Sequence, residues 1–360
     1  MKIDEFYRNK KILVTGNTGF MGSWLTKMLL NLNSKVYGLS LRPITNPNMF
    51  NAVGLNKIIT TYFYDIRNKN NVFKVVKQTK PEIIFHLAAQ PLVLQGYNDP
   101  ITTFTTNFIG TINLLEAVRR TPSIKACVII TTDKVYKNTK KKNGYVENDT
   151  IWGNDPYSAS KACVEIAVNA YEKSYFNNFV TNVSGTSIAT ARVGNIIGGG
   201  DWSENRLIPD VMRSVFNNYN KLEIRMPNAI RPWQHVLDPL YGYLILAQKL
   251  YTNKQIFSGP WNFGPKKDNF INVNELVNRV YNKLGSKKTI SIKNSSKPET
   301  EMLKLDSRKA ERLLGFTSAL GIEDTLNLTI EWYEAFYKNN DVSALTDKQI
   351  NYYKNKILDF

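Results

Sequence analysis

The sequence has few of the residues that build disulfide frameworks and metal sites. Its 360 residues include two cysteines, Cys127 and Cys163, and two histidines. These numbers exclude a disulfide framework and a four-cysteine zinc site, and they argue against a histidine-rich metal centre. No run of about 18 apolar residues is present, and the opening MKIDEFYRNKK lacks the apolar core of a signal peptide. The sequence therefore predicts a cytoplasmic protein with no metal and no membrane partner.

Acidic residues are scarce relative to basic ones. The chain has 30 Asp and Glu against 47 Lys and Arg, a formal net charge of +17. Such an excess would suit an anionic partner such as a nucleotide, a nucleic acid or a membrane surface. The lysines are scattered rather than gathered in blocks, which favours ordinary surface charge and predicts no nucleic-acid partner.

Short apolar segments alternate with helical segments in the first half of the chain. Long helices are predicted from the Asp99-Pro100 turn to Arg120 and over Pro156–Phe176. This alternation predicts an α/β fold, a doubly wound parallel sheet of the Rossmann type. Six buried strands are predicted, at Lys11–Gly16, Lys35–Leu41, Ile58–Tyr64, Pro81–Ala88, Lys125–Thr131 and Ser187–Val193.

The second half of the chain has a different composition. Glycine, proline and tryptophan cluster between Gly198 and Trp261, which is more typical of a substrate lid than of a core. We expect residues 1–194 to bind the cofactor. Residues 195–360 should mainly form a smaller, interleaved C-terminal substrate-binding domain, with a segment at about 231–250 returning to the first part. Trp202, Trp233 and Trp261 either wall the substrate site or pack the lid.

A glycine-rich turn follows the first predicted strand and precedes a helix. In this context backbone amides and the helix N-terminus hold the pyrophosphate of a dinucleotide. The second strand ends in Ser40 instead of the acid of NAD enzymes, and Arg42 would suit the extra phosphate of NADP or is an exposed loop residue. Asp65 and Ile66 either contact the adenine or cap a helix. The turn has the spacing GxxGxxG and consists of Gly16, Asn17, Thr18, Gly19, Phe20, Met21 and Gly22.

Five residues form a candidate catalytic set. Tyr157 and Lys161 are one helical turn apart and share a face, and an ammonium near a phenol lowers the phenol's pKa, which suits acid–base catalysis. Thr132, Asp133 and Lys134 end the fifth strand, at the edge where open parallel sheets bind ligands.

Together these residues resemble the extended short-chain dehydrogenase/reductase superfamily, and longer strings are similar to its CDP-glucose 4,6-dehydratases. Related dehydratases end the fifth strand in Thr-Asp-Glu, whereas lysine at position 134 is similar to the CDP-glucose enzymes. The resemblance implies oxidation of a CDP-hexose at C4, loss of water across C5 and C6, and hydride return to C6. It also implies NAD, with NADP less favoured. The strings are GNTGFMGSWL, FHLAAQPLV, TNFIGTINLLEAVR, ARVGNIIGGGDW, RLIPD and RPWQHVLDPLYGYLILAQ.

The resemblance further implies individual roles. Tyr157 would take the C4 hydroxyl proton while Thr132 orients that hydroxyl, and Asp133 would protonate the C6 hydroxyl. Lys134 would remove the C5 proton or, alternatively, stabilise the enolate. Leu87, Ala88, Ala89, Tyr157 and Lys161 would contact the cofactor, and Gln90, Asn195, Arg206, Leu207, Ile208 and Arg231 the substrate, with Arg231 on its diphosphate.

Two other functions remain open at this point. One is a dehydratase or epimerase of another nucleotide sugar. The other is a non-enzymatic RNA-binding member of the superfamily, although a pure binder has no use for the Thr132, Tyr157 and Lys161 set.

The predicted helix after Tyr157 carries a face of small and apolar residues. Such a face either packs on the sheet or allows close approach of a second copy, which would give a homodimer through a four-helix bundle. The face consists of Ala159, Cys163, Ile166, Ala167 and Ala170.

Overall fold

A central sheet of seven parallel strands organises the fold. In the computed structural model, the described residues are 1–177, 185–217, 221–286, 289–292 and 303–357, with backbone alone at 254 and 255. The strands are β1 (Lys11–Thr15), β2 (Lys35–Ser40), β3 (Thr60–Phe63), β4 (Ile83–His86), β5 (Ala126–Ile130), β6 (Ser187–Val193), β7 (Asn195–Ile197), β8 (Lys221–Ile224), β9 (Ile230–His235), β10 (Gly259–Phe263), β11 (Phe270–Asn272) and β12 (Thr289–Ile292).

Helices connect and cover these strands. Both long helices predicted from the sequence are present, and each contains a π-helical turn, at Thr105–Ile109 and at Glu172–Phe176. The α-helices are α1 (Ile3–Tyr7), α2 (Phe20–Asn31), α3 (Met49–Ala52), α4 (Leu55–Ile58), α5 (Lys69–Thr79), α6 (Val93–Asn98), α7 (Pro100–Phe104), α8 (Gly110–Arg119), α9 (Pro156–Tyr171), α10 (Leu207–Phe216), α11 (Leu237–Asn253), α12 (Val273–Lys283), α13 (Arg308–Leu314), α14 (Ile322–Tyr337) and α15 (Val342–Asn355).

The strand order of the large sheet is β10-β6-β5-β4-β1-β2-β3, and every neighbouring pair in it is parallel. The chain winds outward from β1 in both directions, so the order reverses between β1 and β4. Ligands of doubly wound sheets bind at such a reversal, beyond the carboxyl ends of the strands. The predicted Rossmann-type fold class is confirmed.

Alternate residues of the strands serve two separate cores. On β1, Ile12 and Val14 belong to the core that also contains α2 and α11, whereas Leu13 packs with α5 and α8 on the opposite face. Both faces of the sheet are therefore buried, which explains why its strands are continuous apolar runs.

The interpretation of the second half as lid was wrong for residues 259–263. This segment is β10, which pairs with β6 at the edge of the large sheet, a place that tolerates Pro260 because an edge strand leaves one side unpaired. The three tryptophans are buried in the core, with Trp202, Trp233 and Trp261 only 6%, 4% and 0% exposed, and Trp202 and Trp233 also line the large cavity of the fold. An apolar run as short as WNF does not distinguish an edge strand from a loop.

The remaining strands form two small sheets outside the large one. β11, β9 and β7 make one, and β12 and β8 the other. After β9 the chain returns to the large sheet, where α11 packs on β5 and β6. The division into two parts near residue 194 stays a prediction. No helix in the described ranges is long and apolar enough to cross a membrane.

Candidate active site

One large cavity opens at the carboxyl ends of the central strands. Its volume is about 1340 Å³, above the roughly 300–1,000 Å³ of an ordinary small-ligand pocket. It extends from the glycine turn, past the end of β5, to the loop before α10. All the predicted site residues line it except Asn17. A cavity of this size has room for a dinucleotide and a nucleotide sugar together.

The glycine turn closes tightly on its surroundings. Gly16 has φ +73°, and a Cβ there would lie 2.7 Å from the backbone nitrogen of Ala88. A Cβ at Gly22 would collide with the Gly16 carbonyl oxygen. The 12-residue helix α2 begins directly after Gly19, and its first backbone N–H groups lack helical acceptors. The turn therefore has the shape and the donors that a dinucleotide pyrophosphate requires.

Asn17 does not take the position predicted for it. Its side chain is fully buried beneath β2, at Gly38, and its Nδ2 donates to Thr61 Oγ1 at 2.9 Å. The side chain links the turn to β3 instead of facing the cavity.

A short 3-10 helix, Asp133–Val135, follows β5, and Thr132 is its N-cap. The Thr132 hydroxyl donates to Asp133 Oδ1 at 3.0 Å and accepts from the Lys134 backbone N–H at 3.3 Å. Asp133 is 2% exposed, and burial raises its carboxyl pKa against the opposing effects of Lys134, Thr132 and Arg231. A buried acid with a raised pKa keeps its proton longer at neutral pH, which is what protonation of a leaving hydroxyl requires.

Tyr157 lies in the first turn of α9 because that helix is firmly capped. The Asp155 carboxylate accepts from the Ser158 backbone N–H at 3.0 Å, and the Ser158 Oγ accepts from the Asp155 backbone N–H at 3.1 Å. Pro156 occupies the first helical position. The cap directs Tyr157 and Lys161 into the cavity, beside the end of β5.

The expected lowering of the Tyr157 pKa by Lys161 is not found. Burial raises the pKa of the Tyr157 phenol to about 12, and the nearby Thr132 hydroxyl and the Arg206 charge act in the opposite direction. Lys161 donates to the Ile130 carbonyl oxygen at 3.0 Å, and burial lowers its pKa to about 8. Burial disfavours both the Tyr157 phenolate and the Lys161 ammonium. The spacing of the two residues in the sequence does not reveal this effect.

Behind the catalytic set lies a buried carboxylate, Glu165, one turn after Lys161. It accepts from Thr131 Oγ1 at 2.5 Å, from Thr190 Oγ1 at 2.7 Å and from Arg192 Nη2 at 2.8 Å. Its charge partly offsets the lowering of the Lys161 pKa. Glu165 therefore ties α9 to the ends of β5 and β6, the elements that carry the catalytic residues.

Glu165→Gln is expected to destabilise the protein by about 3–5 kcal/mol, because it leaves the charge of Arg192 buried without its partner. The two side chains are 3% and 2% exposed. Glu275→Gln is the matched control, since its bridge to Arg279 is solvent-exposed at 41% and 36% and should cost below about 1 kcal/mol. Urea unfolding of both variants measures the difference, and equal losses would contradict the importance of the buried pair.

The far end of the cavity is rich in arginine. Arg206 and Arg231, predicted from the sequence, line it, and so do Arg213 and Arg225, which sequence reasoning missed. Arg213 follows Arg206 by seven residues, or two turns of α10. Two residues at that spacing share a helix face, so the sequence could have predicted that Arg213 lines the same site as Arg206. Arg206 is held by Asp201 at 3.3 Å and Arg213 by Asp210 at 2.5 Å. Guanidinium groups at this density suit a diphosphate.

Sequence reasoning also missed Asn107, which lies in the π-helical turn before α8. Its Oδ1 accepts from the Gln90 backbone N–H at 2.7 Å, and its Nδ2 donates to the Gln90 carbonyl at 3.1 Å and to Ser160 Oγ at 2.9 Å. Asn107 thereby positions both the loop after β4 and the helix that carries Tyr157.

The fold and the site define a dehydrogenase-type enzyme of the extended short-chain class. The match to a family described as GDP-mannose 4,6 dehydratase covers residues 13–329. The chain belongs to this family.

Individual relatives are consistent with this membership. The chain is 41% identical over 349 residues to a CDP-glucose 4,6-dehydratase of Salmonella typhimurium, covering 97% of each protein. The resemblance expected from the sequence is confirmed.

Solved structures share the fold. A dTDP-glucose 4,6-dehydratase of Streptomyces venezuelae with NAD bound has a TM-score of 0.78 at 22% identity, covering 91% of this chain and 98% of that one. A UDP-glucose 4-epimerase of Thermus thermophilus in complex with NAD has a TM-score of 0.77 at 22% identity, covering 90% and 98%.

Proposed function

We propose that this protein is an NAD-dependent hydro-lyase that converts CDP-D-glucose to CDP-4-keto-6-deoxy-D-glucose. One observation carries the proposal: a buried acid, Asp133, and an amine, Lys134, stand beside Tyr157 in a dehydrogenase-type site. Exchange of a hydride at C4 needs Thr132, Tyr157 and Lys161 alone. Loss of water needs an acid and a base in addition, and this favours a dehydratase over an epimerase.

The site residues fit the cofactor. Glycine is sterically required at Gly16 and Gly22, α2 begins at the turn, and the cavity continues without interruption to Tyr157 and Lys161. When bound, NAD⁺ would accept the C4 hydride, and the NADH so formed would return it to C6. Lys161 would contact the nicotinamide ribose end, and Ala88 and Ala89 would pack against the cofactor beyond β4.

In the oxidation step, Tyr157 takes the proton of the C4 hydroxyl. Thr132 and Arg206 both favour the ionised Tyr157 phenol, against the burial that raises its pKa to about 12. Thr132 therefore lies close enough to the phenol to hydrogen-bond the substrate hydroxyl beside it. The charge of Arg206 helps Tyr157 to take the proton, and bound NAD⁺ would add a further positive charge.

In the elimination step, the C4 ketone makes the C5 proton acidic. Lys134 removes that proton, and Asp133 gives its proton to the C6 hydroxyl so that water leaves. Gly194 leaves room for the Asp133 carboxyl, since a Cβ at Gly194 would lie only 3.2 Å from Asp133 Oδ2. The two groups are consecutive in the chain and follow the same strand end, so acid and base lie close together.

The arginine-rich end of the cavity would bind the substrate diphosphate. Arg231 acts on Asp133 electrostatically, so the phosphate site and the catalytic acid are close. Gln90, Asn195, Leu207 and Ile208 also line the cavity and would hold the sugar and nucleotide.

The substrate assignment is tested by incubating the protein with NAD⁺ and, in separate reactions, CDP-, UDP-, GDP- and dTDP-glucose. A keto sugar absorbs ultraviolet light in alkali, and we expect that signal with CDP-glucose, without NADH accumulating in proportion to product. Turnover of another nucleotide alone would move the assignment to that base. One NADH per product would indicate a simple dehydrogenase.

We also propose a homodimer formed through α7, α8 and α9. Ile101 on α7, Ile109 in the π-helical turn before α8 and Ile166 on α9 are 77%, 43% and 62% exposed, so these apolar side chains do not pack on the sheet. The expected mass in light scattering is twice the 41.2 kDa of the chain. Ile166→Lys should shift the mass to one chain, whereas Ile256→Lys should not, because Ile256 is an even more exposed isoleucine, at 79%, outside these helices. A single-chain mass for the unaltered protein would contradict the dimer.

The cytoplasm is the proposed compartment. Cys127 and Cys163 are both free thiols in the structure, as expected under reducing conditions.

A further inference from the structure

A buried histidine lies at the point where the strand order of the large sheet reverses. His86 is the last residue of β4 and is 2% exposed, and in the sheet register it stands between Thr15 of β1 and Ile129 of β5. The two residues that follow it, Leu87 and Ala88, line the cavity. The imidazole therefore lies directly behind the cofactor end of the site, and no step of the proposed reaction uses it.

Two threonine hydroxyls determine which nitrogen of His86 carries the proton. Thr15 Oγ1 lies 2.7 Å from Nδ1, and Thr111 Oγ1 lies 2.9 Å from Nε2. The Thr111 hydroxyl donates its one proton to the Asn107 carbonyl at 2.6 Å, so toward His86 it can only accept. Burial and the charge of Lys161 lower the pKa of the ring to about 3, so the ring is neutral at pH 7. Nε2 therefore carries the single proton, and Nδ1 accepts from the Thr15 hydroxyl.

On the Nδ1 side, the hydrogen bonds reach the loop after β4. Thr15 Oγ1 accepts from the Ala88 backbone N–H at 3.2 Å. A Cβ at Gly16 would lie 2.7 Å from that same nitrogen, so Ala88 is held closely against the glycine turn. His86 thus supports the loop that would pack against the cofactor.

On the Nε2 side, the hydrogen bonds reach the catalytic helix α9. Thr111 bonds the backbone carbonyl of Asn107, and Asn107 Nδ2 donates to Ser160 Oγ at 2.9 Å. Ser160 Oγ in turn donates to the Tyr157 carbonyl at 2.7 Å. One continuous path of hydrogen bonds therefore connects Ala88 with the turn of α9 that carries Tyr157, and His86 lies within it.

We propose that His86 is a positioning residue for hydride transfer: its neutral imidazole, protonated at Nε2, sets the separation between the cofactor loop at Ala88 and the catalytic helix at Tyr157. A rigid ring that donates on one side and accepts on the other holds both threonines at a fixed distance. The proposal rests on the NAD-dependent oxidation of the proposed function and adds a residue that acts only through its neighbours.

The position of the proton is tested by nitrogen-15 NMR of the full chain labelled at histidine. The chain has two histidines, so the spectrum contains two imidazoles, and His86→Gln identifies the signals of His86 by their loss. At pH 7 we expect a protonated Nε2 and an unprotonated Nδ1. A proton on Nδ1, alone or together with one on Nε2, would overturn the proposal.

The functional effect is tested by the single-turnover reduction of NAD⁺ by CDP-glucose, followed near 340 nm. His86→Phe keeps a planar ring and removes both hydrogen bonds, so reduction should slow about 10- to 100-fold, the effect of a small misplacement of the reacting groups. His86→Gln again supplies one donor and one acceptor and should keep the rate within about fivefold of the unaltered protein. Should His86→Phe not fold, Thr111→Val takes its place, because it removes the acceptor for Nε2 at nearly constant volume.

His235→Phe is the matched control for loss of a buried imidazole. His235 is 0% exposed but ends β9, outside the large sheet, so the rate of NAD⁺ reduction should not change. An unaltered rate in His86→Phe would overturn the proposal, as would equal losses in His86→Phe and either His86→Gln or His235→Phe. Failure of the unaltered protein to reduce NAD⁺ would instead contradict the proposed function, and the NMR result, which needs no ligand, would still decide the tautomer.

Discussion

Tyr157→Phe is expected to lower kcat for CDP-glucose by a factor on the order of 10²–10⁴, the usual contribution of an acid–base group. The substitution removes the phenolic oxygen and almost no volume. The packing of this buried side chain is preserved. Steady-state kinetics at saturating NAD⁺ measures the loss.

Folding and cofactor binding should survive this substitution. Tyr171→Phe is the matched control, since the Tyr171 hydroxyl bonds Glu116 at 3.0 Å and the residue lies outside the cavity lining. Its kcat should stay near that of the unaltered protein. If Tyr157→Phe retained nearly full activity, the proton acceptor for the C4 hydroxyl would be a different group.

Lys134→Met is expected to separate oxidation from elimination. Methionine keeps the length of the side chain and removes the amine, so proton removal from C5 should slow on the order of 10²–10⁴. Oxidation at C4 relies on Tyr157, Thr132 and Lys161 and should continue. In a single turnover followed near 340 nm, reduction of bound NAD⁺ should therefore appear at the normal rate, while the 6-deoxy product forms slowly.

Lys137→Met controls for loss of a nearby positive charge. Lys137 is exposed, lies 5.5 Å over the Trp152 ring and does not line the cavity, so its removal should leave both phases unchanged. If Lys134→Met lost the single-turnover oxidation itself, with fold and cofactor binding intact, Lys134 would act at C4 and the assignment to C5 would be wrong.

The sequence was sufficient to predict the central sheet because each of its first six strands is an apolar run beside a recognisable turn or helix. The glycine turn and the Tyr157–Lys161 spacing are local patterns, which depend only on residues close in the sequence. The residues predicted from these two patterns line the cavity, with the exception of Asn17. Asn17 has the right position in the motif, but its side chain packs under Gly38, a contact with a different strand.

Other features could not be predicted, because they depend on contacts between residues that are far apart in the sequence. β10 becomes a strand only because β6 offers an edge for pairing. Tyr157 has a raised pKa because the surrounding elements exclude water from it. The buried hydrogen bonds of Glu165 could not be predicted from the sequence, because their donors are Thr131, Thr190 and Arg192. Each of these properties depends on residues that are distant in the sequence.

In the proposed reaction, one bound substrate is oxidised at C4 and reduced at C6 in the same site. Incubation of the protein with NAD⁺ and CDP-glucose carrying deuterium at C4 tests this transfer. We expect a 4-keto-6-deoxy product with the deuterium at C6, seen by mass spectrometry and deuterium NMR. Deuterium that remained at C4 of an epimerised sugar, or that accumulated in free NADH, would contradict it.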